Sequence, residues 1–408
     1  MLRSSMSPGS SQAPFIAAVG LSARMLAQSA RRAGLNVAAL DIFGDRDTRR
    51  YAPLWLDIGG EGLSIDRTKL FDALERTARL PRMLGFVVTS GLEPLAQELC
   101  GASRLPRFIG NSAQATAAVR EPRQFFALLD RLGVAHPEVA FTRPVEPAGW
   151  LLKRTNGCGG THIEVLAASR SMTPADAYFQ RLSNGRSLSA LFIGARGRAS
   201  VIGFAEQFSV AAGRSPYLHI GSAGPVDLPS QVVADVTETI NAIVAHTDLT
   251  GLNSIDFLLD DRHAHVLEIN ARPSSTMTLY ETASPHEWPR GLIGCHIDAC
   301  LHGRLPATLA IPATPTFAHL KAGQRTVFSP RDFVVSARFS NACFCDPQCH
   351  DIPQPGVRIG AGEPVCTLVV TQACAAAVED ELGRREAVVL QRIETCQEDA
   401  DAVIPAAF

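Results

Sequence analysis

"NSIDFLLDDRHAHVLEIN", Asn253 to Asn270, alternates apolar and polar residues on either side of a polar turn at Asp261–His263. Side chains of period two on both arms predict a β-hairpin. On the second strand Glu268 and Asn270 share a face, with Leu267 and Ile269 on the other. On the first, Asp256 sits with Ser254, while Ile255, Phe257 and Leu259 point the opposite way. A three-residue turn sets Asp256 directly across from Glu268. Two carboxylates and an amide oxygen then converge in front of an apolar backing. Like charges so close repel unless a cation lies between them. Hard oxygen donors with room for phosphates suit Mg²⁺ or Mn²⁺. Taken alone, the segment also reads as a solvent-facing acidic hairpin.

Upstream, "LLKRTNGCGGTHIEVL" (Leu151 to Leu166) ends an apolar run in the lone Lys153 and follows it with Gly157, Gly159 and Gly160 before a second strand. A loop that only reverses the chain needs one or two glycines. Three bring backbone N–H groups close to an anion, and Lys153 adds a compact positive charge. Plain turn chemistry is the competing reading here. The pattern is not G-x-x-x-x-G-K-[ST], since the lysine precedes the loop and sits on a strand. Paired with the acidic hairpin, the loop points to a nucleoside triphosphate and its metal.

The remaining chain frames these two segments. Its 408 residues, 46% apolar and 19% charged, exceed what one core fills, so several domains are expected. A net charge of −2 with scattered Lys and Arg excludes a basic stripe for nucleic acid or a polybasic membrane patch. Small-molecule substrates are the expected partners. No run approaches the ~20 apolar residues of a membrane span. "FIAAVGL" (Phe15 to Leu21) imitates a signal-peptide core but leads straight into an amphipathic segment. Ten cysteines without a dense framework read as free thiols in a cytoplasmic protein. Residues 1–14 read as a Ser- and Pro-rich tail. From Phe15 a strand–helix–strand unit runs to "NVAALDIF", whose Asp41 falls at the sheet's carboxyl edge, where such folds bind ligands. Its first turn, "GLSAR", lacks the G-x-G-x-x-G fingerprint, which disfavours a NAD-dependent oxidoreductase. Helix is expected over Asn111–Arg131 with Pro122 near a start, and again over Pro229–His246. Beyond Pro306, short strands broken by Gly and Pro suggest a β-rich module.

The order of these features resembles the ATP-grasp superfamily. The strand lysine and glycine loop are followed by "YFQRLSNGRSLS" (Tyr178 to Ser189) and by "GLNSIDFLL…VLEINARPSS" (Gly251 to Ser275), in which "EINARP" after an "IDF" strand is the most specific element. The resemblance covers Asn111 to Gly303, and Phe15 to Gly110 is similar to the family's N-terminal domain. It implies α/β and α+β architecture: a Rossmann-like domain at 15–110, a small ATP-grasp subdomain with the glycine lid at 111–189, a large subdomain with the metal site at 190–306, and a β-rich module at 307–408. It implies ATP between the subdomains, with Lys153 on the α- and β-phosphates and Gly157, Gly159 and Gly160 as lid. Gln180 lies near the adenine, where many relatives carry an acid, and departs from them. Glu268 and Asn270 match the family's magnesium ligands, Asp256 a position whose metal role varies, and Arg272 an arginine near the transferring phosphate.

The N-terminal "VGLSARMLAQSARRAGLNVAALDIFGDRDTRR" and the C-terminal "DIPQPGVRIGAGEPVCTLVV" are similar to a group resembling the tyramine–glutamate ligases of methanofuran-type one-carbon cofactor synthesis. That likeness implies an acyl phosphate formed on glutamate, capture by an aromatic amine, and release of ADP. It makes Arg24, Arg46 and Arg49 candidate anchors for a second carboxylate, and Asp41 or Glu93 candidate holders of an ammonium. Tyr217 and His219 fall near the amine's path, or in a packed loop. The partners expected are a small carboxylate and an amine, with a homodimer left open. Two alternatives stand beside this reading: an ATP-grasp ligase or carboxylase with another acid, and a nucleotide-binding regulatory protein without turnover. The "CFCDPQCH" run holds Cys343, Cys345, Cys349 and His350, donors enough for zinc, though the spacing favours free thiols.

Overall fold

The computed structural model describes residues 13–155, 157–167, 173–261, 263–306 and 320–401. The first part is built from β1 (Phe15–Val19), α1 (Arg24–Arg32), β2 (Asn36–Asp41), α2 (Arg46–Tyr51), β3 (Leu54–Asp57), α3 (Arg67–Thr77), β4 (Gly85–Val88) and α4 (Ala96–Gly101). Its strands form a parallel sheet ordered β3-β2-β1-β4. Ile16, Ala18, Val37 and Ala39 cluster with Leu26, Ala27 and Ala30 of α1, while Ala17, Val19 and Leu40 cluster with Leu70 and Leu74 of α3. Burial on both faces is why these strands read as unbroken apolar runs. The loops after β1 and β4 meet at the carboxyl edge, where Leu21 N–H donates to the Ser90 carbonyl at 3.1 Å.

Next come α5 (Ala113–Arg120) and α6 (Pro122–Leu132). Glu121 divides them. It precedes a proline, is extended at ψ 112°, and its side chain caps α6 through Gln124 N–H at 2.9 Å. A four-stranded sheet then holds β5 (Val139–Ala140), β6 (Trp150–Arg154), β7 (Ile163–Val165) and β8 (Ala177–Arg181) in the order β5-β8-β6-β7. Trp150, Leu152 and Phe179 bury one face of it. The pleat turns Leu151, Lys153, Tyr178 and Gln180 to the other.

The third sheet has eight strands. Its members include β9 (Arg186–Ala195), β10 (Arg198–Ala212), β11 (Ser215–Gly224), β12 (Gly251–Leu259) and β13 (Ala264–Asn270), with α7 (Ser230–Thr247) packed behind them and α8 (Met277–Ala283) and α9 (Gly291–His302) following. The boundary expected at 189 falls inside β9. In the hairpin, Asp256 does lie across from Glu268, but by a different route. Leu259 pairs with Ala264, so the connection spans one residue more than a three-residue turn. A bulge at Leu267 then restores the register, because Phe257 pairs with Val266 and Asp256 with Glu268.

The C-terminal part contains β14 (Lys321–Phe328), β15 (Phe333–Val334), α10 (Ala337–Phe344), β16 (Cys349–His350), β17 (Arg358–Ile359), β18 (Pro364–Gln372) and α11 (Ala375–Asp401). Among the described residues it has no separate large sheet. β14 pairs with β11, so the order runs β13-β12-β9-β10-β11-β14-β18-β16 in one sheet. Five strands and two helices make up the described residues of this part, and the long helix α11 was not foreseen. Val378, Leu382, Val389 and Ile393 recur at its helical spacing and bury against Val327, Leu368 and Val370.

This C-terminal part is tied to the first sheet by buried charge, in which Arg24, an expected substrate contact, is engaged. Arg24 is 4% exposed, with Nε 2.9 Å and Nη2 3.2 Å from the Asp351 carboxylate oxygens. Burial works against both charges, yet the Arg24 fork holds the Asp351 carboxyl down at about 2. Asp47 accepts from Asp351 N–H and Ile352 N–H at 2.9 and 3.0 Å. Asp41 accepts from Ala23 N–H, Gly44 N–H and Trp55 Nε1–H at 2.8–2.9 Å, organising its own loop. Arg46 is spent on Ser340 and Asn341, and Arg49 on the Gly44 carbonyl and the Trp55 ring.

Candidate active site

The lysine-bearing sheet and the acidic hairpin face each other across one cavity of about 580 Å³. Lys153, Gly159, Gly160, Gln180, Asp256, Glu268, Asn270 and Arg272 all line it. Tyr217 and His219 line it too, so they are wall residues rather than a loop packed away from it. Gly157 lines a small adjoining cavity with Arg120, His162 and Glu268. Glu93 lines another, with Arg120, Asn270 and Arg272. Arg24 and Asp41 line none of these.

Lys153 reaches this cavity because the pleat of β6 puts it on the face of Leu151, Tyr178 and Gln180, and it is 3% exposed. Its Nζ lies 3.3 Å from Gln180 Oε1 and 5.9 Å from the centre of the Tyr178 ring. Burial alone would lower its pKa. The Tyr178 hydroxyl, Glu268 and Asp256 more than offset that and hold the ammonium above its usual range. It is a fixed cation at neutral pH.

The glycine loop rests on the opposite sheet. His219 N–H of β11 donates to the Gly159 carbonyl at 3.0 Å. Gly160 has φ +79°, and a Cβ there would overlap the Tyr217 carbonyl oxygen. A Cβ on Gly157 would overlap the His162 side chain. Two of the three glycines are therefore demanded by the protein's own close packing. Gly159, at φ +64°, has open space around it and a backbone conformation that favours glycine.

On the hairpin, Asp256 Oδ2 accepts from Asn270 Nδ2 at 3.0 Å, whereas its Oδ1 is buried without a hydrogen-bond partner. Burial, then repulsion from Glu268, pushes the Asp256 carboxyl up to about 7. Burial acts on Glu268 in the same direction, but Lys153, His162, Arg120 and Arg272 overcome it and hold that carboxyl below the usual range. An orphaned carboxylate oxygen beside a charged neighbour and an amide is the donor set of a hard divalent cation. The residues present fit Mg²⁺ or Mn²⁺ once the Asn270 amide turns, since its Nδ2 now faces Asp256 and its Oδ1 faces Arg272.

Arg272 closes the far end. Its Nε donates to Glu93 Oε1 at 2.8 Å and its Nη2 to Asn270 Oδ1 at 3.3 Å. Glu93 is in turn fixed by Gly91 N–H on its Oε2 at 2.8 Å. Glu93 thus orients an arginine instead of standing free. Thr89 and Ser90, from the loop after β4, and Ser274 and Ser275 line the same end of the cavity with hydroxyls.

Sequence reasoning missed Arg120, His162 and Tyr178, and also Gln207, which lines the cavity beside Asp256. Arg120 donates to the Thr155 carbonyl at 2.9 Å and raises the positive field on Glu268. Tyr178 was recoverable, since it stands two residues before Gln180 on the same pleat face; Arg120 carried no local signal. The four donors of "CFCDPQCH" do not form one set: the Cys343 and Cys349 thiols meet each other in the C-terminal core, but Cys345 is exposed and His350 faces Asp47 at 3.9 Å. Among the described residues no group of three or more His, Cys, Asp or Glu could hold a metal ion, and no helix is long and apolar enough to cross a membrane. The hairpin site relies on Asn270 for its third donor.

Residues 122–276 match the model of an ATP-grasp domain. No curated protein matches the chain. Among solved structures, it is similar to biotin carboxylase from Campylobacter jejuni in a β-γ-ATP complex, with TM-score 0.65 and 14% identity over 93% of this chain and 95% of that one. It is similar to L-amino acid ligase from Bacillus licheniformis, with TM-score 0.64 and 12% identity over 94% and 97%. A third is the biotin carboxylase domain dimer of Hydrogenobacter thermophilus 2-oxoglutarate carboxylase, in complex with MgADP, ADP and bicarbonate, with TM-score 0.65 and 12% identity over 90% and 88%. The likeness is one of architecture: the chain has the ATP-grasp fold.

Proposed function

We propose that the chain is an ATP-dependent carboxylate–amine ligase that works through an acyl phosphate and releases ADP. The observation that carries this reading is the convergence on one cavity of a buried lysine, a glycine loop and an acidic hairpin with an orphaned carboxylate oxygen. Lys153 would hold the α- and β-phosphates, Gly157, Gly159 and Gly160 would close over them, and Gln180 would face the base. Asp256, Glu268 and Asn270 would hold Mg²⁺ or Mn²⁺, which when bound supplies charge neutralisation for the phosphates. A carboxylate oxygen of the acid attacks the γ-phosphorus as the bond to ADP breaks, and the amine then displaces phosphate from the acyl carbon. Arg272, oriented by Glu93, stands where it can stabilise the transferring phosphoryl group. With the lid down, water is kept from the acyl phosphate.

The finer reading, glutamate joined to an aromatic amine such as tyramine in methanofuran-type synthesis, is supported by the sequence resemblance. The charged anchors first considered for it, Arg24 and Asp41, are engaged elsewhere, so the hydroxyl-lined end near Arg272 takes that role. A cytoplasmic enzyme, alone or as a homodimer, is the setting this reading supposes. Turnover assays crossing a panel of acids with amines test it. ADP and phosphate should form only when both substrates are present, and release of AMP contradicts the mechanism.

A further inference from the structure

The chain returns along β4 before it enters α5. Phe86 N–H donates to the Arg107 carbonyl at 2.9 Å and Ile109 N–H to the Phe86 carbonyl at 2.8 Å, which lays this segment parallel to β4. Asn111 follows two residues later and is 2% exposed. Its Oδ1 accepts from Thr250 N–H at 2.6 Å, and its Nδ2 donates to the Ala271 carbonyl at 2.9 Å and to Asn253 Oδ1 at 2.7 Å. A backbone N–H only donates and a backbone carbonyl only accepts, so Thr250 and Ala271 fix which end of the amide faces which partner. Asn253 sends its own Nδ2 to the Gly251 carbonyl at 2.8 Å, which leaves its Oδ1 for Asn111.

One buried amide thus joins the edge of the first sheet to the turn before β12, to β12 itself and to the corner after β13. Asn253 shares the β12 face of Ile255 and Phe257, opposite Asp256, so Asn111 reaches the corner from behind the hairpin. At that corner Ala271 stands between Asn270 and Arg272. Arg272 N–H donates to the Asn270 carbonyl at 2.9 Å, and the carbonyl of the same peptide is the one Asn111 holds. The Arg272 guanidinium is held separately by Glu93, from the loop after β4. Segments that follow β4 therefore grip this arginine twice, its backbone through Asn111 and its side chain through Glu93. We propose that Asn111 is a positioning residue for the reaction, setting the Asn270–Arg272 corner and thereby registering the N-terminal domain on the reaction centre. The inference rests on the roles proposed above for Asn270 and Arg272, and adds the residue that places them.

The test combines steady-state ADP release with Mn²⁺ affinity read by electron paramagnetic resonance, both on the full chain. Asn111→Ala should lower kcat about a hundredfold, the effect of a reacting group misplaced by about 1 Å. KM for MgATP should stay within about threefold, because Lys153 and the glycine loop belong to another sheet. Mn²⁺ affinity should fall about tenfold or more, since the corner carries Asn270. In an Arg272→Met background the same substitution should cost kcat about tenfold at most, whereas a residue that only stabilises the fold costs the same factor in both backgrounds. Asn111→Asp is the second variant, nearly isosteric with the native residue. Protonated, its O–H still donates to the Ala271 carbonyl; ionised, it turns an acceptor toward that carbonyl and toward Asn253 Oδ1. Burial raises a carboxyl's pKa, so its kcat relative to wild type should be near normal at about pH 6 and fall at least about tenfold by about pH 8. Should Asn111→Ala not fold, this pH-dependent ratio decides. Native kcat and Mn²⁺ affinity in the variants overturn the proposal, as does a flat ratio for Asn111→Asp or a loss for Asn111→Ala that ignores Arg272. If the wild type releases no ADP with any acid and amine, the ligase reading falls, and the Mn²⁺ affinities alone judge Asn111.

Discussion

Gly160→Ala separates the packing role of the lid glycines from their backbone role. At φ +79° an alanine costs about 1–2 kcal/mol. The new Cβ would also overlap the Tyr217 carbonyl, so the lid must lift off β11 and give up the Gly159 carbonyl's bond to His219 N–H. That bond adds about 1 kcal/mol, for a total near 2–3 kcal/mol against the closed lid. At about 1.4 kcal/mol per decade, MgATP binding should weaken roughly 30- to 140-fold. Gly159→Ala is the control. It has φ +64° but no neighbour for its Cβ, so only the backbone term applies, roughly 5- to 30-fold. Isothermal calorimetry on both variants reads the difference, and urea unfolding should show near-native stability for each, since an open lid relieves the clash. Gly160→Ala binding MgATP as well as Gly159→Ala would refute the docked lid.

Other consequences are equally direct. Arg24→Met leaves the Asp351 and Asp47 carboxylates buried without their cation, and should cost about 3–5 kcal/mol in urea unfolding; a loss under 1 kcal/mol contradicts the buried tie. His296 is 1% exposed, accepts from Leu252 N–H on Nδ1 at 2.8 Å, and is pushed by burial from near 6.5 down to about 4. Its imidazole stays neutral in the fold while the unfolded chain takes up the proton. Its contribution is therefore complete above pH 6.5 and declines by about 3 kcal/mol as pH falls toward 4. His296→Gln should flatten part of that slope, and an unchanged pH profile for the variant contradicts the assignment. Glu268→Gln removes a metal donor and should lower Mg²⁺-dependent ADP release at least about a hundredfold with the fold intact. Undiminished release would remove Glu268 from the site.

Period-two patterning was enough to pair Asp256 with Glu268, because a buried sheet face penalises any slip that would turn Ile255 and Phe257 outward. It could not foresee the longer turn and the Leu267 bulge, which cancel in register and put Leu267 on the cavity wall. The lysine and glycine loop were legible as a chemical combination, but the reason for each glycine was not. Whether a Cβ meets a carbonyl on β11 depends on contacts between residues about sixty positions apart. Arg24 and Asp41 were read as ligand anchors because a charged residue at a sheet's carboxyl edge looks alike whether it waits for a ligand, for Asp351 more than three hundred residues on, or for the N–H groups of its own loop. The α11 helix was missed where the Gly- and Pro-rich strands before it set the expectation; its own Val378, Leu382, Val389 and Ile393 spacing carried the signal.

The most direct measurement is a crystal grown with Mn²⁺ and a non-hydrolysable ATP analogue, with anomalous scattering recorded to locate the metal. The account predicts a manganese peak at Asp256, Glu268 and Asn270, triphosphate against Lys153, and the base beside Gln180. Nucleotide bound elsewhere, or manganese away from the hairpin, contradicts it.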